Sequence, residues 1–189
     1  MEASDSELMS RLAAGDDLAL NVLMTRWSAR VSSFLFRMTG QRDTALDLAQ
    51  ETFVKLYQAR ERYKPQGNFS TWLFAIAANL ARNQSRWKSR HPMVSLDASE
   101  PDGTTAWPEP TDPHPSPGEA AIASESSAAV QRAILSLAPD LREALTLFTY
   151  EGLGYAEIAE LSRCSAKAVE TRIYRARQIL KEQLKELRG

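Results

Sequence analysis

Apolar residues recur along this chain at spacings of three and four. No stretch alternates convincingly at the two-residue period of a half-buried strand, so an all-α fold is expected. A short first helix starts near Asp5, buries Leu8, Met9 and Leu12, and stops at Gly15. A second runs from about Asp17 to Thr39, with Leu23, Trp27, Val31, Phe34, Leu35 and Met38 on one stripe and Gly40 placed to end it. A third spans roughly Asp43 to Arg62, with Leu46, Ala49, Phe53, Leu56 and Tyr57 inward, before Pro65 and Gly67 break the chain. A fourth, capped near Asn68 or Ser70, runs to about Lys88 and packs through Trp72, Leu73, Ile76, Ala77 and Leu80. These four helices form one small domain, residues 1–90.

The pattern then stops. Residues 91–119 carry seven of the nine prolines, several acids and no Lys or Arg. Such a segment buries too little apolar surface to offset its ordering entropy, so it reads as a flexible acidic linker. Met93 and Trp107 are exceptions, either of which could anchor it; a plain tether and a segment lying in a partner's groove both stay open. Helical periodicity resumes over about 120–137, 139–150, 155–161 and 166–187, with Pro139 at a first helical position. The expected architecture is therefore two small helical domains, 1–90 and 120–189, joined by the linker.

Composition narrows the function. The chain has 189 residues, 43% of them hydrophobic, one cysteine and two histidines. A lone Cys with two His offers no zinc set, so no metal and no cofactor is expected. His91 and His114 both fall in the proline-rich segment, where nothing holds catalytic geometry, which argues against an enzyme. No apolar run is long enough to span a membrane, and MEASDSELMSRL lacks the order of a secretory signal, so a cytoplasmic protein is expected. The net charge of −1 conceals segregation: +4 over residues 1–90, −7 over 91–129 and +2 over 130–189. Arg82, Arg86, Lys88 and Arg90 come without an intervening acid, and a second basic cluster runs from Arg163 to Arg188.

That second cluster has an internal order. In GLGYAEIAELSRCSAKAVETRIYRARQIL, residues 152–180, Gly152 and Gly154 end one helix and allow a tight approach to the next. YAEIAEL makes two turns, with Ala156, Ile158, Ala159 and Leu161 as contacts. SRCS forms a turn, and Ser165 caps a long helix. Val169, Ile173, Ala176, Leu180, Leu184 and Leu187 form its buried stripe. Helix, short turn, helix with a polar start fits a major groove. Arg172 or Lys167 suits guanine, Glu170 can accept from cytosine, and Thr171 can do either task or hold phosphate. Arg175 and Arg177 lie farther along and suit phosphate. Cys164 in the turn reads as a small packing residue rather than a redox switch.

This stretch resembles the C-terminal region of bacterial extracytoplasmic-function (ECF) sigma factors, which binds the promoter −35 element. DLAQETFVKLY, Asp47–Tyr57, looks like the same family's polymerase-clamp helix, and FSTWLFAIAANLARNQSR, Phe69–Arg86, looks like its −10 region. The resemblance covers nearly the whole chain, with three motifs in order. It implies a non-enzymatic factor that lends core RNA polymerase its promoter specificity and is held by an anti-sigma factor. It assigns Lys167, Glu170, Thr171, Arg172 and Arg175 to the −35 element and Asp47, Gln50, Glu51 and Lys55 to polymerase.

The −10 element falls to Asn79, Arg82, Asn83 and Arg86, with Lys64, Asn68, Phe69 and Ser70 in the loop that captures an extruded base. Asn79 and Asn83 are four apart and share one helical face. Trp72 is a tempting stacking platform, but its spacing favours the core. Two positions depart from the family pattern: Glu170 stands where many relatives carry a base, and Ala78 where Arg is frequent. Glu170 either selects a cytosine or never touches DNA. A polymerase-independent helix-turn-helix regulator is the rival reading; it leaves the first basic segment without a purpose.

Overall fold

The computed structural model describes residues 3–64, 67–91 and 117–186. Among the described residues there are eight α-helices and no strand, as the periodicity predicts. The N-terminal lobe contains α1 (Asp5–Ala13), α2 (Leu18–Thr39), α3 (Arg42–Gln58), a 3-10 turn (Arg60–Arg62) and α4 (Phe69–Arg90). The C-terminal lobe contains α5 (Pro117–Ser136), α6 (Pro139–Thr149), α7 (Tyr155–Ser162) and α8 (Ala166–Glu186). Helix α5 thus begins just inside the stretch read as linker. Pro65, Met93, Trp107, His114 and Leu187 lie outside the described residues.

Local chemistry explains the boundaries. Helix α1 opens on a reciprocal capping box: the Glu7 N–H donates to Ser4 Oγ at 3.2 Å, and the Ser4 N–H donates to the Glu7 carboxylate at 2.7 Å. Asp5 anchors α1 to α2 by accepting from Arg26 at 2.7 Å and from the Trp27 indole at 3.2 Å. Helix α2 ends at Gly40, whose φ of 71° is the left-handed conformation that favours glycine. Asn68 caps α4 by accepting from the Ser70 N–H at 3.2 Å.

The N-terminal core is aromatic at its centre. Trp27 meets Phe69 and Phe74 edge to face, with centroids 5.4 and 6.2 Å apart, and Phe34 meets Phe74 at 5.3 Å. Fully burying a large apolar side chain contributes about 1.5–3 kcal/mol, against about 0–1 kcal/mol for an exposed ion pair. Phe34, Leu35, Leu73 and Phe74, all 0% exposed, therefore define this lobe. The expected stripe on α3 shifts slightly: Ala45, Leu48, Ala49, Thr52, Phe53 and Leu56 are buried, whereas Leu46 is 39% exposed. One residue advances the helix by about 100°, so the stripe centred on 45, 49, 52 and 56 turns Leu46 to the rim.

The C-terminal lobe wraps α6 and α7 around α8, burying Val169, Ile173 and Ala176. Leu180 and Leu184 are only half-buried, so the expected stripe loosens along the helix. On α7, Ile158, Ala159 and Leu161 are buried as expected, but Ala156 faces solvent. Gly152, before α7, has a different purpose from the expected tight approach. A Cβ on Gly152 would meet nothing within 4 Å; its φ of 71° is what requires glycine.

The lobes are not separate bodies. One hydrophobic core runs through both, with α2 against α5 and α6, and α4 against α7. Arg142 of α6 fastens this contact by donating to the carbonyls of Met38, at 2.7 Å, and of Leu135 and Leu137. These oxygens lie where α2 and α5 end, and a guanidinium there satisfies orphan acceptors and complements two helix dipoles. Burial holds the Arg142 guanidinium below its ordinary pKa.

Candidate nucleic-acid interface

Helices α7 and α8 are joined by Arg163, Cys164 and Ser165. Arg163, at φ 53°, is the one non-glycine residue with positive φ among the described residues. The turn closes with the Cys164 N–H donating to the Ala159 carbonyl at 3.0 Å, which ends α7. Ser165 caps α8 as expected, its Oγ accepting from the Ala168 N–H at 3.1 Å.

On the first three turns of α8, Lys167, Glu170 and Arg175 are exposed, while Thr171 and Arg172 are half-buried. Lys167 and Glu170 pair with each other at 2.8 Å, and this contact raises the lysine pKa. Glu170 is therefore a solvated partner of Lys167, which partly neutralises the helix start. Thr171 donates its hydroxyl to the Lys167 carbonyl at 2.9 Å. Arg172 is braced between Asp140, at 3.3 Å, and the Cys164 sulfur, at 3.4 Å; Cys164 itself is half-buried and packs against the core. Tyr174, 63% exposed, was missed by the sequence reading. It lies seven residues from Lys167, four from Glu170 and three from Thr171, so its face was legible from helical spacing.

The face of α4 differs. Asn79, Asn83 and Arg86 are exposed, and Arg82 is half-buried. Arg82 donates from Nη1 to both carboxylate oxygens of Glu143 in α6, at 2.6 and 2.8 Å, and from Nη2 to the Asn79 carbonyl oxygen. Glu143 is only 5% exposed and accepts further from the Ser162 hydroxyl at 2.8 Å. At the N-terminal end of α4, the Glu157 carboxylate accepts from Asn68 Nδ2 at 2.9 Å and from the Thr71 hydroxyl at 2.6 Å. These bonds, with one from the Gly154 N–H at 2.8 Å, hold the Glu157 pKa below the ordinary carboxylate range, the Thr71 bond contributing most.

Lys64, in the preceding loop, is exposed, and Ser70, in the first turn of α4, donates to Asn68. Phe69 does not join them: it is 5% exposed and packs on Trp27, Tyr63 and Trp72. Its placement among the base-capturing residues is corrected, because as the first residue of α4 it turns onto the aromatic core. Trp72, tilted against Tyr63 and Phe69, belongs to the same cluster.

Asp47, Gln50, Glu51 and Lys55 are all exposed on α3. Val54, 53% exposed, and Leu46 lie among them, giving this face an apolar centre with polar flanks. A groove of about 460 Å³ separates it from the end of α4, lined in part by Leu48, Glu51, Asn83, Arg86 and Trp87. Among the described residues no group of three or more His, Cys, Asp or Glu is placed to hold a metal ion. None of their helices is long and apolar enough to cross a membrane.

The chain is similar in sequence and fold to known proteins. Residues 23–91 match the family model of sigma-70 region 2, and residues 127–180 match that of sigma-70 region 4. The chain is 33% identical to the RNA polymerase sigma-H factor of Pseudomonas aeruginosa, over 98% of this chain and 96% of that one. It is likewise 33% identical to the ECF RNA polymerase sigma-E factor of Escherichia coli K12, over 98% and 97% of the two chains.

Among solved structures, CnrH in complex with the cytosolic domain of CnrY aligns with a TM-score of 0.71 at 25% identity, covering 96% of this chain and 97% of that one. RpoE of Bartonella quintana, solved with the anti-sigma factor NepR, aligns with a TM-score of 0.68 at 25% identity, covering 87% and 96%. The chain belongs to the ECF family of RNA polymerase sigma factors, non-enzymatic transcription-initiation factors that act with core RNA polymerase.

Proposed function

We propose that this sigma factor divides its work among three helix faces. Asp47, Gln50, Glu51 and Lys55 of α3 dock on core polymerase, around the apolar centre of Val54 and Leu46. Asn79, Arg82, Asn83 and Arg86 of α4, with Lys64, Asn68 and Ser70 before them, read and hold the opened −10 element. Lys167, Glu170, Thr171, Arg172 and Arg175 begin the second helix of a helix-turn-helix on the −35 element. The corresponding units are residues 1–90 and 120–189, with 91–119 as the connection. The observation that carries the −35 assignment is the capped start of α8, where Lys167, Glu170 and Arg175 project into solvent beside a short turn.

The factor works in the cytoplasm and is held by an anti-sigma factor. Support for the latter is the likeness to a sigma factor solved with its anti-sigma partner, over 87% of this chain. Run-off transcription with core polymerase and a promoter library tests the whole reading. Transcripts that require both proteins are expected; tight sequence-specific binding of duplex DNA by the chain alone would overturn it in favour of a polymerase-independent regulator.

A further inference from the structure

Trp87 stands apart from the aromatic core of its lobe. Trp27, Phe34, Phe69 and Phe74 are buried, whereas Trp87, near the end of α4, is 49% exposed. Its indole is nevertheless held in place. The His91 ring stacks on it, with centroids 5.1 Å apart and planes inclined by 24°, and the His91 N–H donates to the Trp87 carbonyl at 3.0 Å. A ring fixed in advance loses little side-chain entropy when a planar partner settles on it.

Trp87 lines the groove of about 460 Å³ between α3 and α4. Leu48 and Leu80 add apolar surface there, Arg86 and Arg90 bring two guanidinium groups from α4, and Glu51 brings one carboxylate from α3. The Lys88 ammonium donates to the Gln41 side chain and so ties the end of α4 to the start of α3. Among the described residues neither Arg86 nor Arg90 pairs with an acid, whereas Arg82, one turn earlier, is bound to Glu143. An aromatic face beside uncommitted cations is the combination that holds single-stranded nucleic acid: bases stack on the ring and the cations track the backbone.

We propose that this groove seats an unpaired base of the opened promoter strand against Trp87, with Arg86 and Arg90 on the flanking phosphates. The inference rests on the assignment of α4 to the −10 element. It adds a second base site, at the opposite end of the helix from the loop before Phe69. Asn79, Asn83, Arg86 and Arg90 recur at spacings of four, three and four, with Trp87 beside them. The strand-facing surface therefore continues into the groove along about 16 Å of helix. Charge sets the orientation. Glu51 repels phosphate from the α3 wall while the two guanidinium groups draw it to the α4 wall, which turns the base toward Leu48, Leu80 and the indole. The same two cations favour a polyanion over a polymerase segment as the occupant.

Holoenzyme assembled from core polymerase and the full chain tests this. The probe is a labelled pool of short mixed-sequence single-stranded DNA, read by anisotropy with core alone as the baseline; a pool suffices because stacking tolerates every base. Trp87→Ala should weaken binding on the order of tenfold, the loss of one stacked base. Trp87→Phe, which keeps a ring face, should restore most of it. Arg86→Ala/Arg90→Ala should weaken binding and flatten its salt dependence, because two phosphate contacts are lost. No rescue by phenylalanine removes stacking as the cause and overturns the proposal. Weaker binding of core by Trp87→Ala, with strand binding by the assembled holoenzyme unchanged, gives the groove to polymerase and overturns it as well.

A second measurement needs no variant. The same pool carrying 5-iododeoxyuridine is irradiated on wild-type holoenzyme, and adducts on the chain are located by mass spectrometry. An adduct on Trp87 is expected; adducts confined to the loop before α4, or none, overturn the proposal. Asn79→Ala keeps the two ideas apart, since Asn79 lies outside the groove. If Asn79→Ala weakens strand binding and Trp87→Ala does not, the −10 assignment stands and the groove falls. The reverse result keeps the groove and removes Asn79 from the strand face.

Discussion

The polar faces of α4 and α8 look alike in sequence and differ in place. Each is a basic helix with an apolar stripe behind it, and each carries forked or amide side chains spaced to share a face. On α8 the side chains answer mainly to their own helix: Lys167 pairs with Glu170, and Thr171 with the Lys167 carbonyl. On α4, Arg82 and Asn68 answer to the other lobe, through Glu143 and Glu157, while Asn79, Asn83 and Arg86 stay exposed. A basic surface is thus available or occupied according to what packs over it, and its own sequence does not say which.

The sharpest way to break this comparison is to remove one arginine from each face. Arg82→Ala leaves the buried Glu143 carboxylate without its cation and should cost about 3–5 kcal/mol in denaturant unfolding. Arg175→Ala, on an exposed position, should stay within about 0.5 kcal/mol in the same measurement. Equal losses would mean that the two faces do not differ. In run-off transcription Arg175→Ala should still lower initiation from a −35-dependent promoter by roughly tenfold, equivalent to about 1.4 kcal/mol. Unchanged transcription removes Arg175 from the groove.

The next effect concerns the seam itself. Gly40→Ala forces an alanine to φ 71° and brings its Cβ to 2.8 Å from Leu135 Cδ1. The leucine tip can yield, so the backbone conformation dominates the cost, about 1 kcal/mol of thermal or denaturant stability. Smaller still is a pH effect at the contact of Glu157 with Asn68 and Thr71. Because hydrogen bonds hold the Glu157 pKa down, its contribution is complete above the ordinary carboxylate range and is lost as pH falls through the lowered value.

The stability difference between wild type and Glu157→Gln should therefore be flat near neutrality and shrink in acid. Its size should remain under about 1 kcal/mol, since the group is partly solvated. A difference that grows on acidification would mean that the carboxylate is not the favoured form in this contact. Last, Arg163→Gly should gain a few tenths of a kcal/mol by relieving the left-handed strain, partly offset by glycine's entropy. A loss would show that the Arg163 side chain stabilises the turn.

Much of this molecule was legible from spacing. The helix limits, the Gly40 end, the Asn68 and Ser165 caps and the exposed set on α3 all follow from local periodicity and capping chemistry. Leu46 misled because it sits one position from an apolar stripe, where a rotation of about 100° decides between rim and core; Phe69 lies on the buried stripe of α4, four residues before Leu73 and eight before Ala77, a spacing that its assignment to the loop passed over. Tyr174 and Val54 were within reach of the same spacing argument, but an apolar or aromatic residue on a polar face reads at first as noise.

The sequence by itself determined the secondary structure, the two basic helices and the family. Only the tertiary structure decided which basic helix meets the acids of the other lobe. The physical reason is separation: Arg82 and Glu143 are 61 residues apart, Asn68 and Glu157 are 89, and Arg30 and Glu151 are 121. An acid in a helix is ordinarily solvated, and nothing within a turn of Glu143 marks it as buried. Its environment comes from the docking of one lobe on the other, a contact that local periodicity does not encode.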